Sequence, residues 1–196
     1  VSRPLDSLLA AIALVLTAPL LAVSALAIRV ESRGPVLFRQ RRVGRHGEPF
    51  EMLKLRTMVS GAEGIGAGLA LNHGDPRITR VGAVLRRFSL DELPNLANVL
   101  RGDMALVGPR PTIQAQVDRY TARQRRRLEV RPGITGWAQV NGRASLPWPQ
   151  RIELDVWYVE NRSTLLDLRI LARTARTLAH GEGLYKGDTG GWREPA

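Results

Sequence analysis

The chain has 196 residues, enough for one domain with a real core or one domain plus an anchor. It carries 29 Lys and Arg against 18 Asp and Glu, a formal net charge of +11, which favours anionic partners such as nucleic acid, acidic lipid or phosphorylated substrates. Cysteine is absent, which excludes disulfide frameworks and thiolate metal sites, and the scattered His46, His73 and His180 argue against a histidine-rich zinc site.

Between Asp6 and Arg29 lie 22 residues without a charge, SLLAAIALVLTAPLLAVSALAI. A spanning helix needs about 20 such residues. The run is too long for a cleaved signal peptide and continues straight into an Arg-rich segment. A helix apolar all round also suits the core of a small protein poorly. Membrane insertion is therefore expected. Pro19 sits mid-run, where it removes a backbone donor and clashes with the Val15 carbonyl, so a bend is expected there, with Thr17 near enough to satisfy a freed carbonyl. Each half is then roughly 16 Å long, about half the hydrocarbon thickness. Arg3 precedes the run, while Arg29, Arg33, Arg39, Arg41, Arg42 and Arg45 crowd the other side. The positive-inside rule keeps that cluster cytoplasmic. A re-entrant helix returning to the cytoplasmic face satisfies both flanks; a kinked spanning helix is the alternative.

Residues 34–58 read as short strands around a Gly-rich turn, with Val36, Phe38, Phe50, Met52, Leu53 and Leu55 as apolar positions. Residues 59–74 are rich in Gly and Ala and read as a loop. DPRITRVG (75–82) leads into a helix ending near Phe88. A second helix is expected from the acid pair Asp91-Glu92 to about Leu100. Residues 109–130 start with prolines and Thr112 and turn helical and strongly basic. GITGWAQVNGR (133–143) reads as a Gly-punctuated loop or strand, and helical character returns near Gln150. In residues 164–180, Leu168, Leu171, Ala172, Ala175, Leu178 and Ala179 share one face, and Arg169, Arg173, Arg176 and His180 the other. Such a helix either lies on an anionic membrane or packs on a core. The tail from Gly181 is Gly-rich.

The acid pair stands out in so basic a chain. Ser89 and Glu92 have the spacing of a capping box, yet Pro94 then falls at the fifth helical position. With Asp91 as cap, Pro94 falls at the third, where no donor is missed. In either register the carboxylates occupy a first helical turn, which favours negative charge. Adjacent helical side chains diverge, so the two acids can take separate tasks. One can attack phosphorus or hold a divalent cation; the other can take a proton or position the metal. Arg86, Arg87, Arg101 and Arg110 surround them and can clamp phosphate oxygens.

"KLRTM" (54–58), "DPRITRVG" (75–82), "SLDELPNLANVLRGDMALVGPRP" (89–111), "RPGITGWAQVNGR" (131–143) and "ELDVWYVENRSTLLDLRIL" (153–171) occur in that order. Together they closely resemble the bacterial sugar transferases that are monotopic phosphoglycosyl transferases, over nearly the whole chain. The length resembles the small form, with one N-terminal membrane segment. The resemblance implies an α+β, mainly helical fold. Residues 1–30 would form a re-entrant membrane helix broken at Pro19, 31–181 a cytoplasmic catalytic domain with amphipathic interfacial helices and a little β structure, and 182–196 a tail. It also implies transfer of a phosphosugar from a UDP-sugar to polyprenyl (undecaprenyl) phosphate, which begins glycoconjugate or exopolysaccharide synthesis at the bacterial inner membrane.

In that family pattern Asp91 matches the nucleophile that forms a covalent phosphosugar intermediate and releases UMP. Glu92 matches its partner acid, and Mg²⁺, held at Asp91 and Glu92, is the expected cofactor. Arg86 and Arg110 match phosphate-holding positions, with Lys54 and Arg56 as weaker candidates. Gly133, Gly136 and Arg143 fall where the nucleotide site is expected. Asn95, Ala105 and Ala18 depart from the commoner Gln, Ser and Ser. The partners implied are the UDP-sugar, polyprenyl phosphate and membrane lipids; a homodimer is compatible with the sequence.

Two rivals use the same charge. A basic nucleic-acid-binding module could exploit the cluster RQRRR (123–127), but the apolar run and 5% aromatic content argue against nucleic acid as a partner. A membrane-anchored scaffold without chemistry is the other. No side chain selects the sugar.

Overall fold

A computed structural model describes residues 3–62, 75–142 and 146–180. Its first element is α1, Arg3–Glu31. The apolar run forms one helix that continues through Pro19. Thr17 is bonded, but its hydroxyl donates to the Ala13 carbonyl at 2.7 Å rather than to a carbonyl freed by the proline. One narrow stripe, Asp6, Ala10, Ser24 and Ile28, is buried. Most of the large apolar residues outside it, including Leu8, Ile12, Val15, Leu16, Val23, Leu26 and Val30, are exposed. Only 11% of the most apolar stretch is buried, so α1 is no core helix.

Both ends of α1 are fastened to the rest of the chain. Near its start, Ala10 packs with Met52, Leu96, Val99 and Met104. Near its end, Ile28 packs with Leu55 and Leu85. Glu31 then accepts the backbone N–H groups of Arg80 at 2.8 Å and Val81 at 3.0 Å, two donors left over at the start of the next helix.

The expected strands form an antiparallel hairpin, β1 (Leu37–Val43) and β2 (Pro49–Leu55), in register from Leu37 opposite Leu55 to Val43 opposite Pro49. Helix α2 (Arg80–Arg87) is capped by the Thr79 hydroxyl, which accepts Gly82 N–H at 2.9 Å. A Cβ at Gly82 would lie 2.0 Å from the Thr57 carbonyl oxygen, so only glycine lets α2 touch the segment after β2.

The acid pair does not begin an α-helix. Leu90–Glu92 is a 3₁₀ turn, and α3 runs Asn95–Arg101 with Pro94 at its N-cap. Pro94 has no N–H to return to the Leu90 carbonyl, which accepts from Leu93 at 3.2 Å instead. Ser89 makes no capping bond; it sits at φ 54, a conformation uncommon outside glycine. In α3, fully buried Asn98 accepts Leu53 N–H at 3.0 Å and donates to the Glu51 carbonyl at 2.7 Å, completing the free edge of β2.

Two three-residue strands, β3 (Ala105–Val107) and β4 (Gly133–Thr135), pair in parallel. Between them lie α4 (Gln114–Val117), α5 (Ala122–Arg125) and a 3₁₀ turn at Arg126–Leu128. The chain continues through α6 (Trp137–Val140), α7 (Trp148–Asn161) and α8 (Thr164–His180). The described residues are thus mainly helical with two small sheets, as the sequence implies. The basic cluster is engaged rather than presented. Arg123 pairs with Glu153 and Glu160, Arg126 with Glu129 and Glu160, and Arg127 with Asp155, tying this segment to α7.

Helix α8 departs from its expected face. Leu166, Asp167 and Ile170 are buried, whereas Leu165 and Leu168 are exposed. The core needs only that narrow stripe: Leu166 and Ile170 meet Val107, Val130 and Tyr158. The Tyr158 hydroxyl donates to Asp167 at 2.7 Å, satisfying both polar groups. Leu168 is left on a second, outward apolar face.

Candidate active site

A cavity of about 530 Å³ opens between the hairpin, α2, the acid turn, the loop after β3, and helices α6 and α7. Asp91, Glu92, Lys54, Arg56, Arg86 and Arg110 all line it, so six sequence-predicted residues converge. Each arrives by a different route. Strand β2 delivers Lys54, the C-terminal turn of α2 delivers Arg86, the 3₁₀ turn delivers the acids, and the segment after β3 delivers Arg110.

The two acids differ sharply in their surroundings. Glu92 Oε1 receives Lys54 Nζ at 2.8 Å and Arg110 Nη2 at 2.6 Å, and Oε2 receives Arg110 Nη1 at 3.3 Å. Burial acts to raise its pKa, but the Arg110 and Lys54 cations outweigh that and hold it well below the usual glutamate range. Asp91 is 7% exposed, and no described residue donates a hydrogen bond to it or pairs with it. Burial, then the neighbouring Glu92 charge, pushes its pKa up against the pull of Lys54, Arg86 and Arg110. Lys54 is held below its ordinary value by burial, with Glu92 acting in the opposite sense. The turn therefore presents one carboxylate locked as an anion and one bare.

The cations are not equivalent. Arg86 Nε donates to Thr57 Oγ1 at 2.9 Å, which orients its guanidinium in the cavity wall. Arg110 is half exposed and bonded to Glu92. Arg56 lines the cavity, but its Nη atoms donate to the Arg33 and Ser32 carbonyls, each at 2.7 Å. Its charge clamps the chain leaving α1, which differs from the phosphate role expected of it.

Gly133 and Gly136 are not among the lining residues. Their close approach is to backbone: a Cβ on either would lie 2.1 Å from an atom of Gly108. They hold β4 and the start of α6 against the turn that presents Arg110. Arg143 lies outside the described residues.

Among known proteins, a family model described as bacterial sugar transferase matches residues 1–181. The chain belongs to this family. An uncharacterized sugar transferase, EpsL, of Bacillus subtilis is 47% identical over 159 residues, 81% of this chain and 77% of that protein. A UDP-glucose:undecaprenyl-phosphate glucose-1-phosphate transferase of Caulobacter vibrioides is 48% identical over 191 residues, covering 93% of this chain and 71% of that one. A UDP-N-acetylgalactosamine-undecaprenyl-phosphate N-acetylgalactosaminephosphotransferase of Aeromonas hydrophila is 44% identical over 93% of this chain, which spans 44% of that longer protein. The last two are named for transfer of sugar phosphates, and relatives named for glucose and for N-acetylgalactosamine are about equally similar to this sugar transferase.

Several residues around the site are not legible in the sequence. Arg127 is 3% exposed; it pairs with Asp155, donates to the Tyr120 hydroxyl, and donates from Nη2 to the Arg110 carbonyl at 2.9 Å. Thr112 and Gln116 share a hydrogen bond in the same buried network. Arg127 thus fixes the backbone of a phosphate-clamp candidate from behind. In the sequence it is one arginine of a basic run, and nothing marks it as the buried one. An acid set between Leu154 and the apolar run Val156–Val159 is the signal that could have found its partner Asp155.

Proposed function

We propose that this sugar transferase moves a sugar 1-phosphate from a UDP-sugar to polyprenyl phosphate through a covalent aspartyl intermediate at Asp91. The observation that carries the reading is the split within the acid pair. A nucleophile must be reachable and unpaired, and Asp91 is; the neighbouring carboxylate and three cations supply the field around it.

The donor diphosphate would occupy the cationic part of the cavity. An Asp91 carboxylate oxygen attacks the phosphorus bearing the sugar, the bond to the bridging oxygen breaks, and UMP leaves with the electron pair. A phosphate oxygen of the polyprenyl acceptor then attacks the same phosphorus. The bond to Asp91 breaks, and the carboxylate is restored. Lys54, Arg86 and Arg110 offset the charge that spreads over the phosphoryl oxygens. Glu92 holds Lys54 and Arg110 in place. Its depressed pKa makes it a weak base, so it serves as the orienter of the clamp.

Two adjacent carboxylates beside a diphosphate suit Mg²⁺, which binds through one or two carboxylates plus substrate phosphates. Among the described residues no group of three or more His, Cys, Asp or Glu could make a self-sufficient cage, so a substrate-shared ion is the form that fits. Asp91 and the less occupied Oε2 side of Glu92 would hold it, and when bound it would neutralise diphosphate charge.

The lipid substrate requires the site to sit at a membrane. Helix α1 offers an exposed apolar face, and its two ends both pack on the catalytic domain. A helix tied at both ends to one domain fits an element that dips into the cytoplasmic leaflet and returns. Leu165 and Leu168 on α8 supply further outward apolar surface. The product would begin a glycoconjugate or exopolysaccharide on the cytoplasmic face of the bacterial inner membrane.

The test is UMP release from a panel of UDP-sugars with undecaprenyl phosphate, with and without Mg²⁺. The expected result is lipid-dependent turnover for at least one donor and labelled phosphosugar retained by the wild type when the lipid is withheld. Retention of that label on Asp91→Asn protein would refute the intermediate.

A further inference from the structure

The cavity extends past Arg110 to a second polar cluster on the α6–α7 side, and the transfer chemistry described above leaves this cluster unused. Gln139, Arg151, Asp155 and Trp148 line it. Gln139 is 8% exposed, yet neither its Oε1 nor its Nε2 has a hydrogen-bond partner among the described residues. Arg151 Nε and Nη2 are likewise buried and unpartnered. Asp155, 2% exposed, commits Oδ2 to Arg127 and leaves Oδ1 free. Buried polar atoms are rarely left unpaired, so such a concentration in one wall calls for a ligand that bonds there.

The mixture says what kind of ligand. Arg151 Nε and Nη2 and Gln139 Nε2 donate, whereas Gln139 Oε1 and Asp155 Oδ1 accept. A phosphate accepts only and would leave Gln139 Oε1 and Asp155 Oδ1 without a donor. A hydroxyl both donates and accepts, and a ring bearing adjacent hydroxyls matches the whole set. The Arg151 guanidinium lies 5.2 Å from the centroid of the Trp148 ring, which keeps it in the wall. A Cβ at position 136 would lie 2.7 Å from Gln139 Oε1, so Gly136 leaves the amide its place.

An apolar approach suited to a lipid lies elsewhere. Exposed Leu37, Val59, Val84 and Phe88 lie on the hairpin, the segment after it and α2, toward the end of α1 that Arg56 clamps. That leaves the polar wall for the water-soluble donor. Resting on the UDP-sugar reading above, we infer that Gln139, Arg151 and Asp155 form the donor's hydroxyl-binding subsite, taking either its ribose or its transferred sugar.

Gln139→Leu and Arg151→Met in the full chain test this. Binding of UMP, and of whichever donor the wild type uses among UDP-glucose, UDP-galactose and UDP-N-acetylgalactosamine, is measured by calorimetry. KM is measured for both substrates. Gln139→Leu should weaken the UDP-sugar about 5- to 10-fold, the size expected for a lost neutral hydrogen bond, and Arg151→Met about 10- to 100-fold, because its hydrogen bonds are charge-assisted, with KM for undecaprenyl phosphate unchanged. Gln139→Leu should not lower Tm, because it removes a buried amide that has no partner. Equal weakening of UMP assigns the ring to ribose; weakening of the UDP-sugar alone assigns it to the transferred sugar. Unchanged UDP-sugar binding in both variants, or a lowered Tm with unchanged KM, overturns the subsite while an active wild type leaves the transfer reading standing. A wild type that binds UDP-sugar through Gln139 without releasing UMP sinks the transfer reading alone.

Discussion

Lys54 Nζ stands 2.8 Å from Glu92 Oε1, so the β-hairpin grips one member of the acid pair and leaves its neighbour Asp91 bare. Glu92→Gln removes the anion between two cations. The kcat/KM for the UDP-sugar should fall about 10²- to 10³-fold, as for loss of a preorganised electrostatic group. The acid limb of the pH profile belongs to Asp91 and should move to lower pH, because the Glu92 charge that helps raise the Asp91 pKa is gone. The alkaline limb should move to lower pH, because burial depresses Lys54 and Glu92 no longer opposes it. An acid limb that disappears instead would make Glu92 the titrating base.

Asp91→Asn should abolish turnover and raise stability. The native carboxylate is buried, unpaired and next to another anion, so its folded pKa lies above its unfolded one. The resulting destabilisation is absent below the ordinary aspartate pKa of about 3.9, grows as pH rises, and is complete above the folded pKa. The Tm advantage of the variant should therefore be largest near neutrality and vanish in acid. A variant less stable than wild type at pH 7 would contradict the geometry.

How much of this was readable depends on the kind of signal. The hairpin was legible because its apolar positions are flanked by turn residues, and Asp91 and Glu92 because two acids in a basic chain need a reason. The helix boundary at the pair was misplaced: capping patterns predict hydrogen bonds of the first turn, and Pro94 diverts them into a 3₁₀ turn. Arg56 lines the cavity, as its motif neighbours suggest, but the commitment of its Nη atoms to backbone carbonyls distant in sequence has no local signal. Arg127, Asp155 and Gln139 were invisible because burial is a property of the assembled fold. No local pattern separates buried Arg127 from the other three arginines of its run.

Arg127→Met should destabilise the domain by about 3–5 kcal/mol, since it strands Asp155 as a buried charge. Arg127→Met with Asp155→Leu should recover most of that loss, because a packed apolar pair replaces a paired one at little net cost. Activity should not return with stability, because the Arg110 carbonyl loses its support from behind and the donor subsite loses Asp155. Chemical denaturation of both variants alongside UMP release separates the two effects. Full activity in the stable double variant would show that Arg127 serves folding alone.

The absence of cysteine makes the course of α1 measurable. Single cysteines at Arg3 and at Arg33 flank the apolar run. If α1 returns to the face it left, both thiols react with a membrane-impermeant maleimide in inverted inner-membrane vesicles, and neither reacts in intact spheroplasts. A spanning helix would split the pair, one labelled in each preparation. The first outcome is expected because Ala10 near the start and Ile28 near the end of this 29-residue helix both pack on the catalytic domain. If such a helix spanned, Ala10 would be carried away from Met52 and Met104, with which it packs. Ala10→Trp should then disrupt the catalytic domain as well as the anchor, lowering Tm in detergent where no bilayer is present. A helix that spans independently would tolerate that change.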